Sequence, residues 1–109
     1  MNTASLEADA PLLAYQQYIA AVCKERGWDK RTPEEKMLFL TEEVGELAKE
    51  IRKHSGRFGY AKPETTKELG HELVDIFNYV LDLANTYEVD LVTAFADKWE
   101  FNHTRTWHS

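Results

Sequence analysis

Apolar and polar residues recur with helical spacing along four long segments, and the residues between the segments are typical of turns. The segments cover approximately residues 11–26, 32–54, 63–87 and 90–105. Pro11 suits a first helical turn, and Gly27 suits the left-handed position just after a helix. The pattern therefore predicts an all-α fold with four helices.

Two of the predicted helices carry clear start signals. Thr32, Pro33 and Glu35 form a capping box, in which Thr32 and Glu35 accept hydrogen bonds from each other's backbone N–H and Pro33 occupies the first helical position. Asp90 is a good capping residue for the fourth helix. These signals place the starts of helices two and four at the turns.

Helices two and three differ in the width of their apolar surface. The apolar residues of helix two are spaced by three and four and predict a narrow buried seam: Met37, Leu40, Val44, Leu47 and Ile51. Helix three is apolar over a wider arc between Leu69 and Ala84, which predicts that it is covered on more than one side. We therefore expect a four-helix bundle that is completed by oligomerisation, as a homodimer or homotetramer.

Length and charge narrow the class of protein. The 109 residues suit one domain over residues 1–109, with residues 1–10 expected to be flexible. The net charge of −6 argues against binding to nucleic acid, and no apolar run has the length of a membrane span. A single cysteine, Cys23, excludes a disulfide within the chain and favours a reducing, cytoplasmic location.

Acidic side chains follow one stripe on each of the two central helices. Glu43, Glu46 and Glu50 share a stripe on helix two, at positions i, i+3 and i+7. The stripe on helix three has four members: Glu68, Glu72, Asp75 and Tyr79. Two helices joined by a short loop pack antiparallel, so Glu43 and Glu46 can face Glu72 and Asp75.

Carboxylates that face one another repel unless something compensates for their charge. At an effective dielectric constant of 20, two such charges about 5 Å apart cost roughly 3 kcal/mol. Either their pKa values rise or a cation lies between them, and oxygen ligands suit Mg²⁺ or Mn²⁺. The alternative is a solvated acidic face, which is common on helix surfaces.

Three residues of the fourth helix form a second polar stripe. Lys98, Asn102 and Arg105 lie at positions i, i+4 and i+7, and together they can bind a polyphosphate. A basic helix end that complements the helix dipole is the alternative. Trp28 and Tyr79 are each either core residues or contacts to a base or sugar.

These short patterns resemble one family in their order and separation. Glu43-Val-Gly-Glu46 followed by Glu72-Leu-Val-Asp75 resembles the ExxE…ExxD signature of the all-α nucleoside triphosphate pyrophosphohydrolases. That family includes the MazG-like proteins and their dCTP pyrophosphatase relatives, and this chain looks closest to the dCTP pyrophosphatase branch. The stretch Arg26-Gly-Trp28-Asp29 resembles the family's tryptophan-bearing segment, and the stretch from Lys98 to Arg105 resembles its K-x-x-x-N-x-x-R element.

The resemblance implies a fold, a reaction and a set of site residues. It implies a MazG-like bundle that hydrolyses a nucleoside triphosphate, expected to be a dNTP, to the monophosphate and pyrophosphate. The implied physiological role is the removal of unwanted nucleotides or the control of nucleotide concentrations. It assigns the metal and catalytic roles to four residues: Glu43, Glu46, Glu72 and Asp75. Mg²⁺ is the implied cofactor, with Mn²⁺ as a substitute. Substrate contacts are assigned to five residues: Trp28, Tyr79, Lys98, Asn102 and Arg105.

Two other functions fit the same residues. One keeps the fold and changes the substrate, as in a phosphoribosyl-ATP pyrophosphohydrolase or a dUTPase-like enzyme. The other is a helical dimerisation module with an acidic surface and no catalysis. Dependence on a divalent metal separates the enzymes from the dimerisation module, because a solvated acidic face binds Mg²⁺ weakly.

Overall fold

A computed structural model describes residues 6–55 and 65–104 of the chain. This part of the chain contains four α-helices and one 3₁₀ turn, and no strand: α1 (Leu12–Arg26), the 3₁₀ turn (Trp28–Lys30), α2 (Pro33–Ser55), α3 (Thr65–Thr86) and α4 (Leu91–Thr104). The all-α prediction with four helices is confirmed. The predicted start of the third helix, at residues 63–64, lies outside the described residues.

The ends of the helices follow from local chemistry. Gly27 has a φ angle of 75°, in the left-handed region, and ends α1 as predicted. At the start of α2, the N–H of Glu35 donates to Thr32 Oγ1 at 3.1 Å and the N–H of Thr32 donates to Glu35 Oε1 at 2.9 Å. Asp90 Oδ1 accepts the N–H of Val92 at 2.9 Å and caps α4.

Helices α2 and α3 form an antiparallel hairpin that makes up the centre of the chain. Lys36, near the start of α2, contacts Asp82, near the end of α3. Two turns further along α2, Glu43 lies beside Glu72 and Asp75, which come earlier in α3. The pairing therefore runs in opposite directions, as expected for two helices joined by a short connection.

A buried glutamine attaches α1 to the junction between α3 and α4. Gln16 Nε2 donates to the carbonyl of Val89 at 2.9 Å, and Gln16 Oε1 accepts the N–H of Leu91 at 2.8 Å. Asn85 Nδ2 donates to the carbonyl of Gln16 at 2.9 Å. These bonds satisfy backbone groups of the turn between α3 and α4. They also fix α1 over α3, where it forms one wall of a cavity.

The face of α2 that packs against α3 differs from the predicted seam. Three seam residues are about half exposed in the single chain: Met37, Val44 and Ile51. Lys36 and Glu50 are buried, and Lys36 and Glu43, seven residues apart, contact α3. The seam prediction is wrong for the single chain, because Lys36 and Glu43 find partners on α3 that no count of apolar residues reveals.

Helix α3 is apolar on two sides, as its sequence predicts, but the chain covers only one of them. Leu81 is fully buried. A second side, which we call the open apolar face, remains exposed and consists of Leu73, Val74, Phe77 and Val80. Phe95 and Trp99 on α4, which packs mainly on α1, are also exposed. Within the described residues, no helix has the length and apolar character needed to cross a membrane.

Candidate active site

Three carboxylates meet between the central helices. One oxygen atom each from Glu43, Glu72 and Asp75 lies within 4.8 Å of the other two. Glu43 comes from the middle of α2, and Glu72 and Asp75 lie one turn apart on the facing side of α3. Glu43 and Glu72 are partly buried, whereas Asp75 is exposed to solvent. The acidic stripes of the sequence therefore meet, as their spacing predicts, and we call these three residues the carboxylate cluster.

The mutual repulsion of the carboxylate cluster favours the binding of a proton or a cation among its oxygen atoms. The pKa of Glu43 is raised to about 7. The largest cause is the hydrogen bond with Glu72, followed by burial. The negative charges of Glu72, Asp75 and Glu46 raise it further. Like charges and desolvation both disfavour the ionised form of a carboxyl group. At neutral pH the carboxylate cluster therefore holds a proton for part of the time, and a cation can take its place.

The donor set of the carboxylate cluster fits a hard divalent cation. All its ligand atoms are carboxylate oxygens, which Mg²⁺ and Mn²⁺ prefer. Glu72 Oε2 is buried and has no hydrogen-bond partner among the described residues. A buried acceptor without a partner is costly, and a metal ion supplies the missing contact. The residues present therefore fit the metal that the sequence implies.

Glu46, the fourth predicted ligand, lies beside the carboxylate cluster rather than within it. It follows Glu43 by three residues on α2 and is exposed. Its charge contributes to the raised pKa of Glu43, which shows that it is near, but its carboxylate is not among the three that converge. Its role as a ligand stays a prediction.

A cavity of about 400 Å³ opens beside the carboxylate cluster, and Glu43 and Asp75 form part of its lining. The remaining lining comes from α1, from the connector before α2 and from the second half of α3. Trp28 and Tyr79, both predicted to contact substrate, line this cavity and are partly buried. Both aromatic side chains therefore lie in one cavity with the acidic residues.

The side chain of Arg31 packs against aromatic rings at the wall of the cavity. Its guanidinium carbon lies 4.6 Å from the ring centroid of Phe39 and 5.1 Å from that of Trp28. The ring of Phe39 stacks on that of Tyr79, with centroids 6.1 Å apart. Burial raises the pKa of Tyr79, while the charge of Arg31 and its hydrogen bond to the phenol act in the opposite direction. The Tyr79 hydroxyl is thus close enough to be influenced both by Arg31 and by the negative charges of Glu43 and Asp75.

A buried ion pair lies at the other end of the cavity. Lys36 Nζ donates to Asp82 Oδ1 at 3.0 Å and to Thr86 Oγ1 at 2.8 Å. Asp82 and Cys23 both line the cavity. Burial, followed by the negative charge of Asp82, raises the pKa of the Cys23 thiol to about 11. Cys23 is therefore a neutral thiol at physiological pH and not a nucleophile.

Two of the three predicted polyphosphate residues, Lys98 and Asn102, lie apart from this cavity. Lys98 Nζ lies 5.3 Å from the ring centroid of Phe101, on α4 itself. Asn102 is partly buried, and its Oδ1 has no hydrogen-bond partner in the part of the chain that the structure describes. Neither side chain lines the cavity. Arg105 lies outside the described residues, so the three roles stay predictions.

Four polar residues of the cavity were not singled out for a role from the sequence: Arg26, Arg31, Asn78 and Asp82. A signal for Asp82 existed, because it continues the stripe of Asp75 and Tyr79 at position i+7. Lys36 likewise precedes Glu43 by seven residues. The arginines gave a weaker signal, because the path of the connector around Trp28 decides where they point.

Comparison with known proteins assigns the family. The model of the MazG nucleotide pyrophosphohydrolase domain matches residues 31–108, which include the whole carboxylate cluster and all of α4. No curated protein matches the chain. The family's activity in general is nucleotide pyrophosphohydrolysis, and the acidic cluster agrees with a divalent-metal site. By this match and by its four helices, the chain belongs to the MazG nucleotide pyrophosphohydrolase domain family.

Proposed function

We propose that this protein hydrolyses a deoxynucleoside triphosphate to the monophosphate and pyrophosphate, with Mg²⁺ as its cofactor. The observation that carries the proposal is the carboxylate cluster, which lies at the edge of a cavity with both aromatic and cationic walls. A solvated acidic face would point away from such a cavity and would leave each carboxylate hydrated. The buried, unpartnered Oε2 of Glu72 argues further for a ligand at this place.

The chain's own residues divide the work as follows. Glu43, Glu72 and Asp75 hold the metal, with Glu46 as the fourth ligand. When bound, a divalent cation polarises the α-phosphate and makes an attacking water more acidic. A carboxylate of this group accepts the proton of that water. Trp28 and Tyr79 contact the base or sugar from the wall of the cavity.

The proposed contacts of Lys98 and Asn102 on α4, and of Arg105 after it in the sequence, depend on where α4 lies in the assembled protein. Lys98, Asn102 and Arg105 bind the polyphosphate only if α4 is brought to a cavity, and in the single chain α4 packs mainly on α1. A second copy of the chain can provide that approach. The open apolar face on α3 and the exposed aromatic residues of α4 support such an assembly.

The shape of the chain also supports self-association. Its Cα radius of gyration is 16.8 Å, whereas a compact domain of 109 residues has about 13 Å. An extended chain with half-exposed Val74 and Trp99 has more apolar surface than a stable monomer usually shows. We therefore propose a homodimer or a homotetramer.

The test is a panel of dNTPs and NTPs incubated with Mg²⁺, with separate detection of pyrophosphate, phosphate and nucleoside monophosphate. We expect equal amounts of pyrophosphate and monophosphate from at least one dNTP, and no product in excess EDTA. Phosphoribosyl-ATP and dUTP belong in the panel, since a strong preference for either would favour the alternative enzymes. Absence of turnover on every nucleotide, with Mg²⁺ or Mn²⁺, would contradict the proposal and favour a dimerisation module.

A further inference from the structure

Two arginines on the cavity wall have no role in the function proposed above. Arg26 ends α1, and Arg31 lies in the connector just before α2. Their guanidinium carbons lie 5.0 and 5.1 Å from the ring centroid of Trp28. Both side chains line the same cavity as Glu43 and Asp75. Cationic groups and the carboxylate cluster therefore share one cavity.

The charge of Arg31 is held in position without being neutralised. Its guanidinium carbon lies over the ring of Phe39, 4.6 Å from the centroid, and 5.1 Å from the ring centroid of Trp28. Aromatic rings attract a guanidinium group but leave its N–H donors able to bind an anion. Among the described residues, neither Arg26 nor Arg31 forms an ion pair with a carboxylate.

The proposed substrate requires such cations. A nucleoside triphosphate is strongly anionic, and it would enter a cavity that already contains the carboxylate cluster. A divalent cation offsets only part of this negative charge, so side-chain cations must contact the phosphates away from the metal. Arginine suits this task because its fork of donors binds two phosphate oxygens at once.

Other basic side chains are less well placed. Within the part of the chain that the structure describes, Arg26 and Arg31 are the basic residues that line the cavity. Lys36 already forms a buried ion pair with Asp82. Lys98 lies on α4 beside Phe101, away from the cavity of its own chain. The two arginines therefore supply the positive charge that this chain offers to a ligand in its own cavity.

We propose that Arg26 and Arg31 bind the polyphosphate of the substrate from the wall of the cavity. Arg31 is the stronger contact, because two aromatic rings hold its guanidinium before the substrate arrives. Arg26 is exposed at the end of α1 and reaches the outer phosphates. This inference rests on the proposed function, since it takes the cavity to be the nucleotide site.

The experiment measures binding of inorganic tripolyphosphate in excess Mg²⁺ by isothermal titration calorimetry, so that neither a base nor a reaction is involved. We expect Arg31→Ala and Arg26→Ala each to raise the Kd at least tenfold, and the double variant to raise it further. Arg31→Lys should fall between wild type and Arg31→Ala. The matched control is Lys30→Ala, an exposed cation of the same connector that does not line the cavity, and it should bind like wild type.

Several results would overturn this assignment. These are wild-type affinity in either arginine variant, an equal loss in Lys30→Ala, and no tripolyphosphate binding by the wild-type protein. Normal tripolyphosphate binding in Arg31→Ala together with an altered preference among dNTPs would show that the guanidinium contacts the base instead. If the arginines bind tripolyphosphate but no nucleotide is hydrolysed, the proposed function fails while the anion site stands. Circular dichroism and thermal melting confirm that each variant is folded.

Discussion

Lys36 and Asp82 form a buried ion pair that ties α2 to α3 at the far end of the cavity from the carboxylate cluster. The atoms Nζ and Oδ1 are 3.0 Å apart, and the two side chains are 3% and 12% exposed. Thr86 accepts a second hydrogen bond from Lys36 at 2.8 Å. Because two charges have been taken out of water here, each depends on the other for compensation. This pair joins the two helices of the hairpin that brings Glu43 to Glu72.

Removal of one partner of this pair should destabilise the fold strongly. We expect Lys36→Ala to lower the free energy of unfolding by about 3–5 kcal/mol, because Asp82 is left buried without a cation. Urea denaturation at fixed protein concentration measures the change. The control is Lys49→Ala, which removes an exposed cation from the same helix and should cost about 0.5 kcal/mol or less. Equal losses in the two variants would contradict the importance of burial.

Loss of one carboxylate should abolish metal binding and turnover together. Glu72→Gln keeps the size of the side chain but removes the charge from the centre of the carboxylate cluster. We expect pyrophosphate release to fall below detection and Mg²⁺ affinity to drop, with helix content unchanged by circular dichroism. Glu42→Gln alters an exposed carboxylate one residue before Glu43 and serves as the control. Full turnover by Glu72→Gln would refute the metal site.

The ends of the helices could be predicted from sequence because the chemistry that fixes them is local. The bonds between Thr32 and Glu35 and the left-handed Gly27 each involve only a few consecutive residues. The meeting of Glu43 with Glu72 was also predictable, since it needs only helical spacing and an antiparallel hairpin. These features do not depend on how the rest of the chain packs.

The buried face of α2 could not be predicted in the same way. The apolar pattern of a sequence does not distinguish the surfaces that a chain covers itself from those that it leaves open. Val44 and Ile51 are apolar, yet the single chain leaves them half exposed. The burial of Lys36 depends on Asp82, which lies 46 residues further along the chain. The position of Arg31 similarly depends on the path of the connector around Trp28.

The raised pKa of Glu43 predicts how stability without metal depends on pH. Glu43 has a pKa of about 7 in the folded chain, against an ordinary value of 4.5. The folded state therefore holds this proton more tightly than the unfolded state does. Its contribution to stability is complete below about pH 4.5 and is lost as the pH rises towards 7. In EDTA, we expect the melting temperature to fall across this range.

Two comparisons identify the group responsible for this pH dependence. Glu43→Gln cannot ionise, so its melting temperature in EDTA should vary less between pH 4.5 and pH 7 than that of the wild type. Mg²⁺ should also weaken the dependence of the wild-type melting temperature on pH, because the cation takes the place of the proton among the carboxylates. The contrary result is a melting temperature that rises with pH equally in the wild type and in Glu43→Gln. That result would show that Glu43 has an ordinary pKa.

Cys23 should react slowly with alkylating agents in the native protein. Its pKa of about 11 leaves very little thiolate at pH 8, and its side chain is buried. We expect iodoacetamide to modify Cys23 much more slowly in native protein than in urea, as measured by mass spectrometry. Equal native and unfolded rates would contradict both the burial and the pKa.

The open apolar face on α3 predicts at least a dimer. Val74 and Leu73 are about half exposed there, and Trp99 on α4 is exposed to the same extent. Burial of such side chains against a second copy contributes about 25 cal/mol for each Å² removed from water. Sedimentation at micromolar protein concentration should therefore give a mass of at least twice the 12.6 kDa of the chain.

A single charge on this face should separate the copies. Val74→Glu places a carboxylate on the open apolar face, where its desolvation would oppose association. Gln17→Glu adds the same charge at an exposed position on α1 and is the matched control. We expect Val74→Glu to sediment as a smaller species with its helix content retained, whereas Gln17→Glu keeps the wild-type mass. If α4 of one copy completes the site of another, Val74→Glu should also lower kcat/KM. A wild-type mass of 12.6 kDa would instead make the open apolar face a feature of the monomer.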